Sequence, residues 1–165
     1  MENKVSQIRY HRTVSTYSWN IIIISAFGLL FALAGIGLTY MTRHIEFPRI
    51  NGLSFFLNPK LYFIPSIFQI PISGILLISS ILVLKGSDKA RKLLIFGLIA
   101  AILFLIIIPI ITINHIPNLE TASATWGFGK TSMVSCHFFF SLSIAIYFLV
   151  ALMKLSSDEI KQLFN

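Results

Sequence analysis

Four residues of this chain could hold a metal or a pigment: His44, His115, His137 and Gln69. Two imidazoles on facing helices can bind a haem iron. One could ligate a chlorophyll magnesium, as could the amide oxygen of Gln69, and three could form a metal site. His137 and Gln69 are the cofactor-binding candidates, and the haem alternative pairs His115 with His137. A plainer reading is favoured for each. His44 and His115 lie near span ends, where an imidazole is at home in the interface. His137 lies inside an apolar run, roughly 7.5 Å deep at about 1.5 Å per residue, with no carboxylate nearby in sequence to orient it. It is expected to hydrogen-bond a neighbouring helix, as is Gln69. No metal site is expected.

Cys136 is the only cysteine, so an internal disulfide is impossible. A reactive thiol needs a polarising neighbour, and His137 points about 100° away on a helix. Cys136 is therefore expected to be a small packing residue. The stretch Gly127-Phe128-Gly129-Lys130-Thr131 has the end of a phosphate loop, but Ala124 stands where its first glycine should be. No strand precedes it, so a phosphate loop is rejected. No nucleophile and base fall in register, so no enzyme is expected. All six acids lie outside the apolar runs. A coupled carrier usually places an acid or base inside the membrane, so a small channel or carrier ranks last.

These residues are positioned by four long uncharged runs. The chain has 165 residues, 56% hydrophobic and 12% charged. A soluble domain carries about 25% charged residues. Spans are expected at about 19–40, 62–84, 93–113 and 132–153, each near the roughly 20 residues that cross about 30 Å of hydrocarbon. The expected fold is all-α and integral to the membrane, one four-helix domain over 1–165. A polar tail covers 1–17, and a short helix falls within 154–165, where Ser156-Ser157-Asp158-Glu159 fits a capping box. The first run is too long for a signal-peptide core.

The net charge is +7, but the cations flank the spans, so nucleic acid is not an expected partner. Lys85, Lys89, Arg91 and Lys92 fall within eight residues. With the basic N-terminal tail they place both termini on the cytoplasmic or stromal side. Anionic lipid or an acidic partner is the sharper reading of the same loop.

Two faces are suited to helix contact. Gly28, Ala32, Gly35 and Thr39 share one side of span 1, and small residues let a second helix approach closely; packing within the protein is the favoured reading, and a docking face for another subunit is the sharper one. Ser66, Gln69, Ser73 and Ser80 share one side of span 2. Gly97 and Ala101 form a smaller pair in span 3. Pro65, Pro71 and Pro109 are tolerated in lipid where neighbours satisfy the freed carbonyls, and Pro109 is placed to kink the outer end of span 3. In span 4, Ser132, Cys136, Phe139 and Ser143 share a face, and the block Phe138-Phe139-Phe140 suits lipid, pigment rings or another subunit.

The order Ser15-Thr16-Tyr17-Ser18-Trp19, Ala34-Gly35-Ile36-Gly37-Leu38-Thr39-Tyr40, then Asn58-Pro59-Lys60-Leu61-Tyr62-Phe63-Ile64-Pro65 with Gly74 beyond it resembles the photosystem I assembly proteins encoded in plastid and cyanobacterial genomes. The resemblance covers roughly residues 8–84. That family follows its hairpin with a soluble domain, whereas this chain has two more spans.

The resemblance implies a non-catalytic assembly factor or small structural subunit of a membrane complex, in its most specific form photosystem I. It implies a thylakoid membrane of a plastid or cyanobacterium, with another organellar or bacterial membrane as the alternative. Expected partners are membrane lipids and other integral subunits, with the small-residue and serine faces docking on partner helices. Chlorophyll, carotenoid or lipid could sit at the periphery. The alternative is a four-helix redox subunit carrying haem b.

Overall fold

The computed structural model describes residues 2–42, 59–115, 130–162 and 164, and side chains within 11–41, 63–111, 135–136, 138–162 and 164. Residues 43–58 and 116–129 lie outside the described residues, and with them His44. The described chain is helical, without strands. Its elements are α1 (Glu2–Thr42), α2 (Pro59–Leu84), α3 (Asp88–His115), α4 (Lys130–Leu155) and the short α5 (Asp158–Lys161).

Four helices are long and apolar enough to cross a membrane, over His11–Met41, Phe63–Leu84, Asp88–Ile111 and Phe138–Leu155. The protein is therefore an integral, multi-pass membrane protein by helix length and composition. Large apolar side chains face outward on all four, among them Phe31, Phe68, Phe96 and Phe140. In water such a surface would drive aggregation, whereas hydrocarbon solvates it.

The polar tail 1–17 is helical from Glu2 onward. α1 has 41 residues, so it is about 62 Å long at about 1.5 Å per residue, twice the roughly 30 Å of hydrocarbon. Hydropathy locates the part of a helix that lipid can cover; it does not mark where the helix starts. α2 runs unbroken through Pro65 and Pro71, and α3 through Pro109.

The helices pack in chain order. α1 lies along α2, α2 along α3, and α3 along α4, while α5 folds back on α1 and α4. The short α5 therefore sits at one end of the bundle, beside α1 and α4. Tyr17 and Tyr147, with ring centroids 6.0 Å apart, join α1 to α4. The core runs between the helices through Val14, Ile21, Leu76, Val83, Leu94, Leu98, Phe148 and Leu155.

The α2–α3 turn has only three residues, Lys85 to Ser87. Gly86 N–H donates to the Val83 carbonyl and Ser87 N–H to the Leu82 carbonyl. This pattern closes a helix with a left-handed residue at its end. Gly86 supplies it, at φ +82°. Ser87 then caps α3, since its Oγ accepts from Ala90 N–H at 3.3 Å. The sequence Lys-Gly-Ser-Asp thus ends one helix and starts the next.

At α5, Ser157 holds the N-cap position with extended backbone but makes no side-chain cap bond. Its hydroxyl donates backward to the Lys154 carbonyl at 2.9 Å. The expected capping box is therefore not formed. Burial of Ile160 against the core holds this short helix in place.

Candidate functional site

The most closely packed pair is α1 with α2. Along α1, Val14, Ser18, Ile21, Ser25 and Ala32 are buried, and Gly28, Gly35 and Thr39 are half-buried between and beyond them. Their spacings alternate four and three, the repeat of a helix that keeps one seam against a partner. Along α2 the matching line is Ser66, Gln69, Ser73, Leu76, Ser80 and Val83.

Gly28 is the point of closest approach. A Cβ built there would lie 2.8 Å from Ser73 Oγ and 3.3 Å from Gln69 Nε2. Gln69 Nε2 donates to the Gly28 carbonyl at 2.9 Å. The helices are antiparallel, so with Gly28 between Gln69 and Ser73 the register puts Ser25 level with Ser73. Ser18 falls level with Ser79 and Ser80 by the same count.

Of the residues expected to serve helix contact, Gly28 and Ser73 meet within the chain, across the α1–α2 seam. Ala32, Ser66 and Ser80 are buried on the same two lines. Thr39 turns its hydroxyl back to the Gly35 carbonyl at 2.8 Å. Gln69, a candidate pigment ligand, has its amide drawn into the same seam by Gly28. The pair Gly97 and Ala101 behaves likewise. A Cβ at Gly97 would meet Leu76 at 3.0 Å and Ile75 at 3.1 Å, so Gly97 sets the α2–α3 approach.

Sequence reasoning missed three buried hydroxyls. Ser18 and Ser25 lie N-terminal to the glycines, and extending the same four-three repeat would have found them. Ser79 is buried and donates to the Ile75 carbonyl at 2.6 Å. The Oγ atoms of Ser18, Ser25 and Ser80 have no hydrogen-bond partner among the described residues. A buried hydroxyl left so costs about 1–3 kcal/mol.

The outward face of α4 carries Cys136, Phe138, Phe139, Phe140 and Ser143, all exposed. Cys136 is thus not the packing residue expected of it. The buried line of α4 is Ser141, Ala145, Phe148, Ala151 and Leu155, on another side of the helix. The side chains of His115 and His137 lie outside the described ones. Their backbones fall at one end of the bundle, at the close of α3 and near the start of α4. Arg91 meets Leu155, which sets the antiparallel register. That register puts His137 level with Pro109, about 9 Å along the axis from His115 at about 1.5 Å per residue. Among the described residues no group of three His, Cys, Asp or Glu side chains is placed to hold a metal ion.

The most constrained charge is Arg91, which is 4% exposed. Its Nη1 donates to the Leu155 carbonyl at 3.0 Å. Its Nε donates to Asp88 Oδ1 at 2.9 Å, and its Nη2 lies 2.8 Å from the same oxygen. Its guanidinium also sits 5.8 Å from the centre of the Phe164 ring. One cation thus ties the start of α3 to the end of α4 and to the C-terminal tail. Sequence reasoning counted Arg91 with the topology-setting cations. Its position one turn before Leu94 and two before Leu98, on the buried line of α3, is the signal that separates it from its lysine neighbours.

Outside the spans, the hydrogen bond from Lys161 holds the Asp158 carboxyl below the usual carboxylate range. No family model matches the chain, and neither does any curated protein or solved structure.

Proposed function

We propose that this protein is a non-catalytic membrane scaffold, an assembly factor or small structural subunit of a larger membrane complex. The observation that carries this reading is how the buried polar groups of the spans are used. Gln69 and Ser73 serve contact between α1 and α2, and Arg91 serves contact between α3 and α4. The polar chemistry builds a stable bundle, and the outward faces are left to large apolar and aromatic side chains. Those faces, the Phe138–Phe140 block and the Trp19 to Phe31 side of α1, are the surfaces offered to neighbouring subunits or pigments. Both termini lie on the cytoplasmic or stromal side in this reading, because Lys85, Lys89, Lys92 and the cations of the N-terminal tail gather at one end.

The most specific form is a role in photosystem I, in a thylakoid membrane. It rests on the resemblance of residues 8–84. Those residues take in α2 and most of α1, the most closely packed helix pair of the bundle. Chlorophyll or carotenoid would then sit at the periphery, against the outward aromatics.

A second reading, a haem b subunit, is favoured by one observation. The chain brings the backbones of His115 and His137 to the same end of adjacent helices. Gentle detergent extraction, with identification of co-purifying subunits and a visible absorption spectrum, separates the two. The scaffold reading expects integral subunits in fixed ratio and no haem signal, that is, no redox-sensitive Soret and α-band pair. A haem Soret and α-band signal lost in His137→Ala would overturn it.

A further inference from the structure

We propose that the α2–α3 turn and the outward face of α3 form a binding strip for an anionic phospholipid of the leaflet that the turn faces. The turn gathers Lys85, Lys89, Arg91 and Lys92, and one carboxylate, Asp88, opposes them. Arg91 is buried and engaged with Asp88 and Leu155, so it is not available to a headgroup. Lys92 is 71% exposed although its Nζ lies 2.8 Å from Asp88. Lys85 and Lys89 are exposed and make no ion pair among the described residues. The local balance is an exposed positive charge at the end of two membrane-crossing helices, at the depth of phosphate groups.

The face below these cations matches the rest of a lipid. Lys89, Lys92, Phe96, Ile99 and Leu103 fall within about 80° of one another at about 100° per residue. All five are exposed. From Lys92 to Leu103 is about 16 Å at about 1.5 Å per residue, close to one leaflet of a hydrocarbon core about 30 Å thick. The strip therefore offers cations where a phosphodiester lies and an unbroken apolar side where its acyl chains run. Charge complementarity selects the anionic headgroup over a zwitterionic one. An acidic protein surface would use the lysines but leave the apolar strip unmatched, so the lipid is the better fit.

The test uses the full chain in detergent, freed of native lipid and titrated separately with phosphatidylglycerol and phosphatidylcholine, with bound lipid counted by native mass spectrometry. The unpaired lysines are replaced together in K85Q/K89Q, and K154Q is the control for a cation at the same end on another helix. Circular dichroism melts confirm that each variant is folded. Each lysine near a membrane surface contributes about five-fold to attraction of anionic lipid. Phosphatidylglycerol binding should therefore fall between about 5-fold and 25-fold in K85Q/K89Q. K154Q should leave it within about two-fold, and F96A should weaken it without removing the headgroup preference. Equal affinity for the two lipids in the wild type would overturn the proposal. So would unchanged phosphatidylglycerol binding in a folded K85Q/K89Q, or an equal loss in K154Q.

Discussion

Replacing Arg91 with methionine should loosen the end of the bundle where α5 folds back on α1 and α4, and its cost can be worked from the contacts. Leu155 is the last residue of α4, so its carbonyl has no helical N–H to accept from. Arg91 supplies that donor in a buried setting. A hydrogen bond from a charged group contributes about 1.5–3 kcal/mol, and the carbonyl left bare carries its own desolvation cost. Loss of the Phe164 contact removes about 0.5–1 kcal/mol. The Asp88 pair counts for little, because Lys92 remains beside that carboxylate and partly exposed pairs contribute about 0–1 kcal/mol. Methionine keeps most of the packing volume and relieves the burial of a charge, which offsets part of the loss. The expected destabilisation is about 2–4 kcal/mol. Arg91→Lys should lose about half as much, since one ammonium cannot span Asp88 and the Leu155 carbonyl as the fork does. Thermal unfolding in detergent, followed by helical circular dichroism, measures the difference. Trypsin cleavage in the Lys154 to Lys161 tail should accelerate in parallel. A folded Arg91→Met within 0.5 kcal/mol of wild type, with no faster tail cleavage, would refute this reasoning.

The α1–α2 seam yields the other predictions. Gly28→Ala should cost at most about 1 kcal/mol, because Ser73 Oγ can turn away and alanine favours helix by about 0.8–1 kcal/mol. Gly28→Val has a second branch to place against α2 and should cost about 2–3 kcal/mol, in the range of overpacked cores; equal melts for the two variants would contradict the close approach. Gln69→Leu should lose about 0.5–2 kcal/mol, the range for an interhelical bond in a membrane, and a melt at or above the wild-type value would show that the bond to Gly28 contributes nothing. Ser80→Ala should instead be neutral or stabilising by up to about 1 kcal/mol, since its hydroxyl is buried without a partner; a loss above 1 kcal/mol would mean that the hydroxyl is satisfied.

Much of the fold is legible in the chain because lipid leaves so few choices. A run of about 20 apolar residues without charge must satisfy its own backbone, and a helix does so within one segment. The serine line of α2 is legible for a related reason: hydroxyls at the spacing of Ser66, Ser73 and Ser80 have no reason to face hydrocarbon. What those lines meet is less legible. Gly28 and Ala32 mark a close approach, and nothing in their spacing distinguishes a helix of the same chain from one of another. The role of Arg91 was hidden by composition, since four cations in eight residues read as one cluster until the buried line of α3 takes one of them away. Cys136 misled because an apolar neighbourhood in sequence is not a buried one in a membrane, where the most apolar face points out. The capping box failed because the helix starts one residue late, at Ser157, which puts Ile160 instead of Glu159 three residues on.

The seam residues are turned inward, so partners must be met on the outward faces. Phe31 is 72% exposed and lies on the outer side of α1, away from α2. A photo-crosslinking phenylalanine analogue at this position, activated in native membranes, tests the scaffold reading most directly. The account predicts one or a few discrete adducts with other integral membrane proteins, absent when the same analogue replaces the buried Leu76. Adducts with lipid alone at Phe31, and likewise at Phe139 on the outward face of α4, would contradict it.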